Sequence, residues 1–164
     1  MKLHTAGSAL NFRKPILGRV STEQLPRGQR KDAVLVVSSL GVCGNDFSGY
    51  AAIVTSDRVG GETISAPLVH SVRDLDHLKP GYVVVLEPLN GFVRTLYRPD
   101  SPHNTLFATE RCNSNCLMCS QPPVDRDDVQ GLTARNLALI DLMEPAPEYL
   151  CITGGDPLCS GTTY

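Results

Sequence analysis

The sequence predicts an α/β chain in which a small β-rich domain precedes a β–loop–α–β unit. Three observations predict it. Residues 32–98 carry strand-like runs punctuated by turn residues. Residues 133–143 repeat apolar side chains at helical spacing. That helix lies between two short apolar runs, 105–109 and 149–153. The expected organisation is a basic N-terminal segment, 1–31, a β-rich domain, 32–98, a linker, 99–104, and an α/β unit, 105–164.

In chain order, the first segment holds Lys2, Arg13, Lys14, Arg19, Arg27, Arg30 and Lys31 against Glu23 alone. Its charge suits a solvated arm better than a surface for an acidic partner. The β-rich domain reads as DAVLVVSSL, YAAIVTS and GYVVVLEPLNGFVRTLYR. The last contains two strands, Tyr82–Glu87 and Phe92–Tyr97, and Asn90-Gly91 between them signals a hairpin because both residues accept positive φ. RPDSPHN, 98–104, is polar and turn-rich. Thr105–Thr109 is then a buried strand, and the helix from Thr133 to Met143 has Thr133 as N-cap. Its stripe is Leu139, Leu142 and Met143, widened by Leu137 and Ile140, and Pro145 and Pro147 end it. Tyr149–Thr153 is the second buried strand, parallel to the first through a right-handed crossover.

The 164 residues suffice for one domain or a domain and part of another, and the net charge of -2 gives no general attraction to nucleic acid. No apolar run is long enough to span a membrane, and MKLHTAGSALNFRKP lacks the core of a secretory signal. A cytoplasmic protein is expected, with neither membrane nor nucleic acid as a partner. In that reducing setting six cysteines point to metal or redox chemistry rather than to disulfides. Cys43, Cys151 and Cys159 are scattered and each reads as a small, buried or incidental residue; His70 and His77 lack a thiol or carboxylate at useful spacing and read as satisfied or surface histidines.

The chemistry concentrates in ERCNSNCLMCSQ, where Cys112, Cys116 and Cys119 stand in a C-x3-C-x2-C spacing just past a strand end. A [4Fe–4S] electron carrier uses four cysteines, so three leave one iron open to another ligand. Zinc is the rival, and its fourth ligand would have to be His103, Cys151 or Cys159. A second motif, Thr153-Gly154-Gly155-Asp156-Pro157, follows the second strand. Its glycines let the backbone come close to a bound small molecule, and Asp156 offers a carboxylate to an ammonium group. Neither motif identifies a catalytic residue.

Together these motifs resemble the radical S-adenosylmethionine (radical SAM) superfamily. VVVLEPLNGFVRTLYR and SPHNTLFATERCNSNCLMCSQPP resemble, more closely, the radical SAM maturases of His-Xaa-Ser systems. The resemblance implies a [4Fe–4S] cluster on Cys112, Cys116 and Cys119, with S-adenosylmethionine held by Gly154, Gly155, Asp156 and Pro157 and packed by Met118. Asp156 replaces the usual glutamate, and Met118 stands where an aromatic residue is common. The implied activity is modification of a His-Xaa-Ser repeat precursor peptide through a 5′-deoxyadenosyl radical. A second radical SAM maturase and an electron donor are implied partners. The implied fold is the first β–loop–α–β unit of a partial (β/α)6 radical SAM barrel, so an incomplete form, cut after the second barrel strand, is expected.

Overall fold

Ala33–Val37 and Val83–Leu86 are uninterrupted apolar runs, and such strands are stable only where both faces are covered. In the computed structural model, which describes residues 3–42, 46–60, 64–114 and 116–156, every residue of both is buried. They belong to the first of two compact units, Met1–Pro99; the second is Asp100–Tyr164. The strands of the first unit are β1 (His4–Ala6), β2 (Ser8–Leu10), β3 (Ile16–Ser21), β4 (Ala33–Val37), β5 (Ala52–Thr55), β6 (Leu68–His70), β7 (Val83–Leu86) and β8 (Phe92–Tyr97).

They form one mixed sheet in the order β1-β8-β7-β3-β4-β5-β6-β2. Strands β3 to β6 run parallel, whereas β7 and β8 return antiparallel. The two ends of that order, β1 and β2, are consecutive in the chain and separated by Gly7 alone. The sheet is therefore brought round on itself, with β1 on β8 and β2 on β6. Closure demands a tight crossing, where the Gly7 amide donates to the Gly91 carbonyl at 3.1 Å. Gly91 has φ +59, and a Cβ there would run into the Gly7 carbonyl. This explains the Asn90-Gly91 turn better than a two-residue hairpin does, because Gly91 takes positive φ while Asn90 instead accepts the Phe92 amide through Oδ1 at 3.1 Å.

The interior is filled by Val20, Val34, Val36, Ala52, Val54, Val69, Val84, Leu86 and Val93, with Leu78 and Tyr82 also in this core. A second apolar layer, Leu35, Ile53 and Leu68 with Phe47 and Tyr50, lies on the opposite face of β4–β6. Arg30, only 6% exposed, ties the chain before β4 to that layer. Its Nε donates to the Leu25 carbonyl at 2.7 Å, its Nη1 to Asp46 and Ser48, and its guanidinium lies 4.8 Å from the Tyr50 ring centroid.

The expected fold class is overturned. This is a mostly-sheet protein, an eight-stranded mixed sheet with one helix among the described residues, and not a partial (β/α) barrel. A (β/α) barrel covers each parallel strand with the helix that follows it. Here the parallel neighbours β3, β4 and β5 are joined by loops and short 3-10 turns, Arg27–Gln29 and Leu40–Val42, whose Pro26, Gly28 and Gly41 disfavour a longer helix. Residues 1–31, read as a basic arm, supply three strands, and Val20 of β3 is part of the interior core.

Candidate functional site

In the second unit the helical stripe and the two apolar runs form β9 (His103–Phe107), α1 (Val129–Leu142) and β10 (Tyr149–Thr153). β9 starts two residues earlier than the sequence predicts, and α1 begins at Val129 rather than Thr133, since Gly131 does not prevent the first turn. The face of α1 that turns inward is Leu132, Arg135, Asn136 and Leu139, a spacing of three and four residues, with Leu139 2% exposed. Leu137 and Ile140, expected in the stripe, are exposed. Asn136 Nδ2 donates to the Phe107 carbonyl at 2.9 Å, which fixes the helix to the end of β9.

β9 and β10 pair in parallel, with Thr153 opposite Phe107. The ladder continues past both strands: the Ala108 amide donates to the Thr153 carbonyl at 2.8 Å, the Gly155 amide to Thr109 at 2.7 Å, and the Asp156 amide to Arg111 at 3.0 Å. The glycine motif is thus zipped onto the residues that lead into Cys112. A Cβ on Gly155 would collide with the Arg111 carbonyl, and one on Gly154, at φ +120, would come within 2.6 Å of the Thr109 carbonyl. What these glycines admit is the neighbouring backbone rather than a small molecule.

The cysteine loop is closed at its base. The Val124 amide donates to the Glu110 carbonyl at 3.0 Å, so the chain from Glu110 to Val124 returns to its origin. Asp128 reinforces the closure from the foot of α1. Its carboxylate accepts the Thr109 hydroxyl and the Glu110 amide, each at 2.7 Å, while Thr109 Oγ1 accepts the Arg111 amide at 3.0 Å. Although Asp128 occupies the N-cap position, its side chain makes no bond to the helix. Burial pushes its carboxyl upward, but the Thr109 hydroxyl, the Glu110 amide and the Arg126 charge outweigh this and hold it below the ordinary aspartate value. Arg126 also lies 3.2 Å from Glu110, and Arg111 3.8 Å from Asp125.

Cys112 is half-buried, Cys116 and Cys119 are exposed, and all three are free thiols. A turn links the last two through the Cys119 amide and Cys116 carbonyl at 3.0 Å, and Cys119 Sγ donates to the Gln121 carbonyl at 2.8 Å. In number and kind these donors fit a cluster with three protein thiolates. Among the described residues, however, no three His, Cys, Asp or Glu side chains are gathered closely enough to hold a metal ion. Met118 is fully exposed, Asp156 is half-buried beside Arg111, and Pro157 lies outside the described residues.

The fourth ligands open to zinc fare worse. His103 stands at the opposite end of β9, roughly 13 Å along the strand from Phe107 at about 3.3 Å per residue, and stacks on Tyr149 at 5.1 Å. Cys151 is exposed in mid-strand, opposite Thr105. Cys43 and Cys159 lie outside the described residues. His70 is 8% exposed and satisfied at Nδ1 by Ser71 Oγ at 3.0 Å.

No protein-family model, curated protein or solved structure matches the chain. No helix among the described residues is long and apolar enough to cross a membrane. Sequence reasoning missed Thr109 and Asp128. Asp128 stands five residues before the helix start that the sequence predicts, so its place directly before α1 gave no signal.

Proposed function

We propose that this chain contributes the cluster-binding loop of a radical SAM peptide maturase acting on a His-Xaa-Ser repeat precursor. The observation that carries the reading is the bond from the Asp156 amide to the Arg111 carbonyl, which sets the glycine motif one residue from Cys112. Two motifs more than thirty residues apart in sequence are thereby neighbours, which supports reading them as one site. Cys112, Cys116 and Cys119 would hold the [4Fe–4S] cluster as thiolates. Gly154 and Gly155 keep their strand seated, and Asp156 would offer its carboxylate to the ammonium group of S-adenosylmethionine, with Met118 and Pro157 beside the cofactor. The bound group would supply one electron, taken from the electron donor, to cleave the cofactor's sulfonium into methionine and a 5′-deoxyadenosyl radical. The partners of this reading are the precursor peptide, a second radical SAM maturase and an electron donor, in the cytoplasm.

A second reading, a non-catalytic iron–sulfur or peptide-docking module, is favoured by the mostly-sheet fold, which has one helix among the described residues. A small zinc protein is the third. Anaerobic incubation with ferrous iron and sulfide separates them. Cysteine-dependent loading with reductive cleavage of S-adenosylmethionine supports the maturase, and loading without cleavage supports the module. Stoichiometric zinc with no sulfide uptake sinks both.

A further inference from the structure

We infer that Asp128 is a positioning residue for metal capture, the clasp that holds the base of the cysteine loop closed so that iron can draw its three thiols into one ligand set; this rests on the cluster reading above. Three contacts carry it. The Asp128 carboxylate takes the Thr109 hydroxyl on one oxygen and the Glu110 amide on the other, both at 2.7 Å. Thr109 is 1% exposed, so its hydroxyl has little access to water as a substitute partner. The same hydroxyl accepts the Arg111 amide at 3.0 Å, so one carboxylate orders three consecutive residues that end next to Cys112.

The clasp also explains an otherwise wasted position. An aspartate directly before a helix normally turns inward to cap it, yet Asp128 makes no such bond and reaches back across the loop. The backbone bond from Val124 to Glu110 closes the same ring from inside. Without Asp128 that bond and the solvent-facing Arg126–Glu110 and Arg111–Asp125 ion pairs would have to keep the Glu110 end and the helix end together. The exposed segment holding Cys116 and Cys119 would then sample wider separations, and each thiolate would dissociate from iron more independently.

The role is one of geometry rather than charge, which gives it a distinctive rescue. In Asp128→Asn the amide oxygen still accepts the Glu110 amide, while its NH2 donates to Thr109 Oγ1 with the hydroxyl reversed. In Asp128→Ala neither contact survives.

The test is iron loading and iron release in the full chain. Each variant is reconstituted anaerobically with ferrous iron and sulfide, and iron loss to a ferrous chelator is timed, with visible absorption following the cluster. Asp128→Ala should release iron at least tenfold faster than the wild type, and Asp128→Asn should stay within threefold of it. Leu139→Ala weakens the packing of α1 without touching the loop, and should also stay within threefold. Amide exchange in the metal-free protein supplies a second readout, in which Asp128→Ala speeds exchange at Glu110 and Arg111 selectively. Wild-type release rates in Asp128→Ala overturn the inference alone. Equal acceleration in Leu139→Ala likewise reduces Asp128 to a stabilising residue. A wild-type chain that takes up no cysteine-dependent iron overturns the cluster reading and this inference together.

Discussion

Replacing Gly155 by alanine tests whether the glycine motif is shaped by the backbone beside it. Gly155 does not have positive φ, so alanine brings no conformational strain and its cost is steric. The new Cβ would enter the Arg111 carbonyl, which belongs to backbone and has no rotamer to yield. Relief requires the strands to part, and that breaks the Gly155–Thr109 and Asp156–Arg111 bonds. Two hydrogen bonds at about 0.5–1.5 kcal/mol each, with an overpacking cost of about 1–3 kcal/mol, give a total of about 2–6 kcal/mol. Urea unfolding monitored by far-UV circular dichroism measures the total. Native-state amide exchange at Gly155 and Asp156 localises it, and both amides should lose protection while those of β4 keep theirs. A loss below about 0.5 kcal/mol, the size of a neutral surface change, with protected Gly155 and Asp156 amides would refute the reasoning.

Three further outcomes are expected. Leu139→Ala empties the one fully buried apolar position of α1 and should cost about 2–5 kcal/mol in urea unfolding, chiefly in the second unit. Arg30→Lys should lose about 2–4 kcal/mol, because an ammonium cannot reach Leu25, Asp46 and Ser48 together while lying over Tyr50, and charge-assisted bonds contribute about 1.5–3 kcal/mol. The carboxyl of Asp128 is held below its unfolded value, so its contribution is present above that value, about 3.9, and fades as pH falls through the lower folded one. An acid titration of stability should therefore show a decline below about pH 4 that is shallower in Asp128→Asn; identical slopes would contradict the assignment.

Much of this architecture was legible wherever apolar residues crowd into short runs. AVLVV, AIVT and VVVL declared β4, β5 and β7, and YLCIT declared β10 with its observed bounds. β3 was hidden because Gly18 and Arg19 interrupt ILGRVS, although Val20 reaches the interior core. β1 and β2 are three residues each and gain their strand geometry only from β8 and β6, far along the chain, so no local pattern marks them. The α/β reading failed for a related reason: β10 and α1 have strong local patterns, while the closed sheet arises from pairings that no window of sequence contains. At the site, the cysteine spacing and the glycines were plain. Their relation was not, because the Arg111 carbonyl that Gly155 accommodates is known only once β9 and β10 pair. Asp128 was equally opaque, its two partners lying 18 and 19 residues before it.

The most direct test of the central claim, that the cysteine loop and the glycine motif make one cluster-binding site, is iron and sulfide content after anaerobic reconstitution. The wild-type chain should take up about four irons and four sulfides, with a broad visible absorption that S-adenosylmethionine perturbs. Chains carrying Cys112→Ala, Cys116→Ala or Cys119→Ala should take up little. Iron uptake that survives loss of all three cysteines, or a wild-type chain that binds only zinc, would contradict the account.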